Sequence, residues 1–173
     1  MASFDVRNTT RRPAPRFPYQ KAAEAALPGW DLSLAFVGPT KAKALNIALR
    51  KKDYVPNVLS YQSGEKSGEI IICLDVAKKQ APDYGMSYGE FVAFIFIHGL
   101  MHLNGYRHGT TMEVKERAFL ARFISSSRAS HHGSSNLRRH RHRNAPDESR
   151  GGRGSRRRAR RGTSRHRNGR RSK

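Results

Sequence analysis

The first 124 residues contain three histidines, and all three fall in one short segment, His98-Gly-Leu-Met-His102-Leu-Asn-Gly-Tyr-Arg-His108. The segment directly follows Phe91-Val-Ala-Phe-Ile-Phe-Ile97, an apolar run that can continue into it as one buried helix. On a helix, residues four apart stack on the same face, so His98 and His102 point the same way. Gly105 then offers a helix stop, and the chain can turn back to bring in His108. Three imidazoles converging from a helix and its following turn form a facial ligand set, with a fourth position open to water as in catalytic zinc sites. One such histidine alone reads as a satisfied core residue. Three at this spacing, with none elsewhere in the folded part, read as metal ligands. Two neighbouring motifs fail on chemistry. The zincin pattern needs a glutamate after the first histidine as its base, and Gly99 stands there. A structural zinc finger wants paired cysteines, and Cys73 is the chain's only cysteine.

Charge divides the chain in two. Residues 1–124 hold 17 Lys and Arg against 11 Asp and Glu, a net of +6, while residues 125–173 hold 17 against 2, a net of +15. The expected organisation is a metal-dependent domain over 1–124 and an Arg, Ser, His and Gly-rich tail over 125–173. After Phe123 the chain has no aromatic residue and little that could be buried, so the tail is expected to be disordered when free. Its partner should be polyanionic: RNA first, an anionic membrane surface as the weaker alternative. Without aromatics for base stacking, Arg138–Arg143 and Arg156–Arg161 should bind through charge and tolerate any sequence. The tail histidines 131, 132, 140 and 142 read as solvated. A single cysteine excludes an intramolecular disulfide, and Cys73, within Ile70–Leu74, reads as a small buried hydrophobe. No apolar stretch approaches bilayer-spanning length, and Met-Ala-Ser-Phe-Asp-Val does not open a secretory signal, so the expected location is the cytoplasm.

Pattern and punctuation predict the order β-α-β-α-β-β-α-α-α. Phe4–Asn8 is a strand, Thr9–Pro18 a basic proline-rich loop, Tyr19–Leu27 an alanine-rich helix ended by Pro28-Gly29, and Leu32–Val37 a strand. Thr40 can cap a helix over Lys41–Leu49 with Ala44, Leu45 and Ala48 inward. Asn57–Tyr61 and Glu69–Leu74 read as a hairpin joined by the polar turn Gln62–Gly68. A short helix over Asp75–Ala81 stops at Pro82. Ser87 and Glu90 form a capping box for the histidine helix, and Thr111–Phe123 closes the domain as an amphipathic helix. The fold class is α+β, a small mixed sheet with the long apolar helix against it.

Four blocks in order resemble the YbeY endoribonucleases over about residues 30–124. The histidine segment is similar to the family's His-Gly-x-x-His-Leu-x-Gly-Tyr-Asp-His. Leu45-Asn-Ile-Ala-Leu-Arg50-Lys-Lys-Asp53 resembles Leu-Asn-x-x-Tyr-Arg-x-Lys-Asp. Pro56-Asn-Val-Leu-Ser-Tyr61 resembles Thr-Asp/Asn-Val-Leu-Ser-Phe, and Gly68-Glu-Ile-Ile-Ile72 resembles the family's Gly-Asp-Ile strand. The resemblance implies a metal-dependent, single-strand-specific endoribonuclease that serves maturation of the small-subunit ribosomal RNA 3′ end and ribosome quality control. It implies one Zn2+ per chain on His98, His102 and His108, and it matches Arg50 to the family's functional arginine. Ribosomal RNA or the small ribosomal subunit is the implied partner. Two features depart from the pattern: the basic tail, and Arg107 where the family has aspartate. An aspartate there could accept a proton, whereas arginine offers a phosphate contact.

Zinc can polarise a phosphoryl oxygen and acidify bound water, and Arg50 supplies a planar donor fork suited to phosphate. By itself the run Arg50-Lys51-Lys52-Asp53 reads as solvated charge, and the family match carries the functional reading. Lys52, Asn57, Ser60 and Arg107 are further candidate substrate contacts, with Lys51 another backbone contact. The competing readings are surface charge for the basic residues and local backbone hydrogen bonding for Asn57 and Ser60. Glu116, in the closing helix, is assigned no catalytic part. One alternative is a non-catalytic RNA-binding ribosome-assembly factor with a structural metal, which Arg107 favours. A metal hydrolase acting on peptides is the other, and the missing base glutamate and the positive charge oppose it.

Overall fold

A computed structural model describes residues 2–128 of the chain. Its elements follow the expected order. Strand β1 is Phe4–Asn8, α1 Tyr19–Ala26, β2 Asp31–Val37, α2 Pro39–Arg50, β3 Val58–Gly64, β4 Ser67–Cys73, α3 Leu74–Gln80, α4 Tyr88–Leu103 and α5 Thr110–Arg128. A single 3-10 turn, Ala81–Tyr84, follows α3 at the expected Pro82.

The four strands form one mixed sheet in the order β1-β2-β4-β3. The pairs β1–β2 and β2–β4 are parallel, and β3 runs antiparallel to β4. Alternation along the strands sends Leu32, Leu34, Phe36, Ile70 and Ile72 to one face, where α1, α4 and α5 cover them in the main core. Ala35, Val37, Leu59, Ile71 and Cys73 face the other way and pack under Ala42 and Leu45 of α2. Cys73 is thus the expected small hydrophobe, and burial pushes its thiol pKa up.

Two local expectations change in three dimensions. The inward side of α2 is Ala42, Leu45 and Asn46, while Ala44 and Ala48 are exposed. The helix begins at Pro39 after Gly38, not at a Thr40 cap, and buried Asn46 serves a purpose alanine could not. Its Nδ2 donates to the carbonyls of Lys52 at 3.1 Å and Tyr54 at 3.0 Å, holding the loop after the helix. The second change is in the β3–β4 hairpin, where the ladder extends into the polar stretch and leaves Glu65-Lys66 as the connection.

Helix α4 is set by its ends and its composition. Ser87 Oγ accepts from the Glu90 N–H at 3.3 Å, and the Glu90 carboxylate accepts from the Ser87 N–H at 3.0 Å, completing the expected capping box. Phe91, Val92, Phe96, Ile97 and Leu100 are fully buried, each worth about 1.5–3 kcal/mol relative to exposure. Among the described residues no single helix is long and apolar enough to cross a membrane. Helix α5 begins one residue before the expected Thr111 and runs five beyond Phe123, with Met112, Glu116, Phe119 and Phe123 along its inner side. The remainder of the expected basic tail, from residue 129, lies outside the described residues.

Candidate metal centre

The last two turns of α4 carry His98 and His102 on one side, as their spacing requires. The helix ends at Asn104, and Gly105 takes φ +85°, a left-handed conformation that turns the chain sharply. Tyr106 N–H then donates to the Met101 carbonyl at 3.0 Å, which folds the turn back along the helix. His108 arrives beside the other two, its ring 5.1 Å from that of His98 and 4.7 Å from that of His102. One ligand atom from each histidine can be chosen so that all lie within 4.8 Å of one another.

Each helical histidine has a partner on its rear nitrogen. His98 Nδ1 is 2.6 Å from the Glu116 carboxylate, and His102 Nδ1 is 3.1 Å from the Tyr106 carbonyl. A carboxylate and a carbonyl both accept, so each Nδ1 carries the proton and donates it. In the neutral ring each Nε2 is then left with a bare lone pair. Those two Nε2 atoms face each other at 3.0 Å. Neutral rings resist that approach, because two lone pairs converge on the same point, and a cation between them removes the repulsion. Donor set, tautomers and rear partners therefore fit a metal ion. Burial lowers the His102 pKa from 6.5 to about 4, with His98 and His108 acting in the same direction, so its ring is neutral and ready to ligate at neutral pH.

Glu116 drew no role from the sequence. It is 2% exposed and lies on α5, where only the packing of α5 against α4 brings it under His98. A signal was present: Glu116 follows Met112 by four residues on the apolar stripe that continues to Phe123, so an acid occupies a core-facing position.

The other candidates are dispersed. Arg50 is exposed at the last turn of α2, on the sheet face opposite α4, and leads into the loop that enters β3. Lys52 is exposed in that loop, after Lys51 in a left-handed conformation at φ 58°. The Asn57 amide donates to Gln80 Oε1 at 2.8 Å, a contact that ties the start of β3 to the end of α3. Ser60 is half-buried on β3 opposite Ile70, on the α4 face. Arg107 is exposed in the turn beside His108.

A family model described as Endoribonuclease YbeY matches residues 9–126. Curated proteins named Endoribonuclease YbeY are similar to about half of the chain. The one from Thiobacillus denitrificans is 38% identical over 103 residues, covering 54% of this chain and 70% of that protein. Those from Bdellovibrio bacteriovorus and Staphylococcus carnosus are 34% and 37% identical, covering 47% and 50% of this chain. The chain spans 55% and 64% of those two relatives. A solution structure from Thermotoga maritima superposes with a TM-score of 0.55 at 17% identity, over 79% of this chain and 100% of that one, a likeness of fold.

Proposed function

The chain belongs to the YbeY endoribonuclease family, and on that premise we propose that it is a metal-dependent endoribonuclease cutting single-stranded RNA. Its substrate is ribosomal RNA, at the 3′ end of the small-subunit molecule, and its place is in ribosome maturation and quality control in the cytoplasm. The observation that carries the reading is the convergence of His98, His102 and His108, with two Nε2 atoms facing each other at 3.0 Å and both rear nitrogens held.

One Zn2+ per chain would sit on these three histidines. When bound, it supplies positive charge to a phosphoryl oxygen and acidifies water. The chain's own residues do the rest. Glu116 and the Tyr106 carbonyl fix the tautomer and angle of the two helical rings, so little reorganisation is needed when charge develops on the phosphate. The Arg50 guanidinium, exposed at the end of α2 where the chain enters the loop before β3, carries a planar fork that would grip non-bridging phosphate oxygens of RNA passing along β3. Arg107, next in sequence to His108, offers another phosphate contact, with Lys52 along the backbone path.

The test is incubation of the zinc-loaded protein with single-stranded and duplex RNA beside a His98→Ala/His102→Ala control. Cutting of the single strand alone, lost in the control, is the expected result. RNA binding with no cleavage by the wild type would instead identify a non-catalytic assembly factor, the outcome that Arg107 favours.

A further inference from the structure

Strand β3 ends the sheet, so one of its sides pairs with no strand among the described residues. The ladder fixes which of its groups face that side. Asn57 lies opposite Cys73, and the Cys73 N–H donates to the Asn57 carbonyl at 2.9 Å. Bonded and non-bonded pairs alternate in an antiparallel ladder. Leu59 and Tyr61 therefore bond inward to β4, while Val58, Ser60 and Gln62 aim both N–H and C=O outward.

The same edge lies beside the three histidines. Gly99 packs on the Ile70 side chain, where a Cβ would come within 3.2 Å, and Ile70 is the cross-strand partner of Ser60. Leu103 packs on Gly68, the partner of Gln62, and Gln62 Nε2 donates to the Leu103 carbonyl at 3.3 Å. Gly99 and Leu103 thus mark the line along which α4 touches the sheet. On a helix of 3.6 residues per turn, Phe96 and His102 lie about 60° to either side of Gly99. The Phe96 ring meets Tyr19 at 5.0 Å and Phe4 of β1 at 6.3 Å, so its side is the β1 side. His102 is therefore on the side of α4 that looks toward β3, with which α4 is in contact.

We propose that this edge is the subsite for an unpaired base next to the scissile phosphate, with the outward N–H and C=O of Ser60 pairing with the base's Watson–Crick edge. The inference deepens the endoribonuclease reading and rests on it. Every base presents an adjacent donor and acceptor on that edge, so one strand residue can serve any base. In a duplex those groups are already occupied by the complementary base, so a paired strand cannot dock. Selectivity for single strands then arises from a backbone edge, without a sequence-reading pocket. Charge favours RNA over a peptide strand as occupant. The exposed run Arg50-Lys51-Lys52 leads into β3, and the whole chain carries +21.

Proline isolates the amide. At an outward edge position it removes the N–H without removing a ladder bond. Ser60→Pro is therefore compared with Ser60→Ala, which takes away the hydroxyl alone, on intact RNA and on RNA abasic at the nucleotide flanking the cut. The excess rise in KM of the proline over the alanine variant should be about three- to tenfold on intact RNA, the value of one hydrogen bond. It should vanish on abasic RNA. In the wild type, the Ser60 amide should exchange with solvent more slowly when single-stranded 2′-O-methyl RNA is added, and duplex RNA should leave it unchanged. Equal protection by duplex, or equal KM of the wild type for intact and abasic RNA, overturns the subsite. A wild type that protects the Ser60 amide but cuts no RNA overturns the nuclease reading alone. The exchange and abasic measurements on the wild type decide the subsite even if Ser60→Pro misfolds.

Discussion

His98 and Glu116 are joined at 2.6 Å between Nδ1 and Oε1, across the interface of α4 and α5. Their side chains are 18% and 3% exposed, so little water competes for the bond. A buried carboxylate behind a metal-ligating imidazole orients the ring and raises its basicity. Glu116→Ala should lower zinc affinity by about 10–100-fold. Glu116→Gln, which keeps an acceptor but loses the charge, should fall between. Competition against a chromophoric chelator measures both. Unchanged affinity in the alanine variant would leave Glu116 a packing residue.

Metal stoichiometry tests the centre directly. The His98→Ala/His102→Ala/His108→Ala variant of the full chain should bind one zinc ion fewer than the wild type. The comparison uses full-length protein on both sides, so any weak binding by tail histidines cancels. Equal content after dialysis against trace metal would reject the site.

Arg50 is expected to act on phosphate and not on the metal. Arg50→Ala should reduce single-turnover RNA cleavage by about 100-fold, the order seen when a single charge-stabilising donor is removed. Zinc content should not change. Arg50→Lys should recover part of the loss, since an ammonium lacks the bidentate fork. Near-normal cleavage by the alanine variant would remove Arg50 from the chemistry.

His102 links folding to pH in the metal-free protein. Burial, then the charges of His98 and His108, lower its folded pKa from 6.5 to about 4. As pH falls below 6.5 the unfolded chain takes up a proton that the folded chain refuses. The contribution to stability is therefore complete above 6.5 and is lost progressively down to about 4. The melting temperature of the metal-free wild type should fall through that window more steeply than that of His102→Gln. Zinc should hold the wild type up, because the metal binds only the neutral ring. Parallel pH curves for the two metal-free proteins would contradict this account.

The tail should contribute affinity and leave the chemistry intact. Residues 125–173 carry a net +15 and no aromatic side chain. Truncation after Arg128 keeps α5 whole. It should weaken RNA binding and flatten its dependence on salt, since fewer counterions are released. Single-turnover cleavage at saturating RNA should persist. Complete loss, with the domain folded and metal-loaded, would place the tail in the reaction.

The sequence alone determined what depends on neighbours along the chain. The capping box at Ser87 and Glu90, the apolar course of α4, the stop at Gly105 and the shared side of His98 and His102 all follow from local spacing. Element order followed for the same reason, since hydrophobic period and turn residues are local signals. What failed locally failed where a distant surface chooses the residue. The inward side of α2 is set by the sheet beneath it, so Asn46 displaces Ala44 and Ala48 from the expected face. The hairpin extends past Tyr61 because ladder pairing outweighs the polar composition of the turn.

Only the tertiary structure decided the surroundings of the histidines. Glu116 stands 18 residues from His98, and no period in the sequence links them; the packing of α5 on α4 does. That β3 is the last strand of the sheet among the described residues likewise depends on pairing across the whole sheet. A helix places its ligands through bonds four residues long. The groups that tune those ligands and face their substrate are placed by burial of apolar surface among elements far apart in the chain.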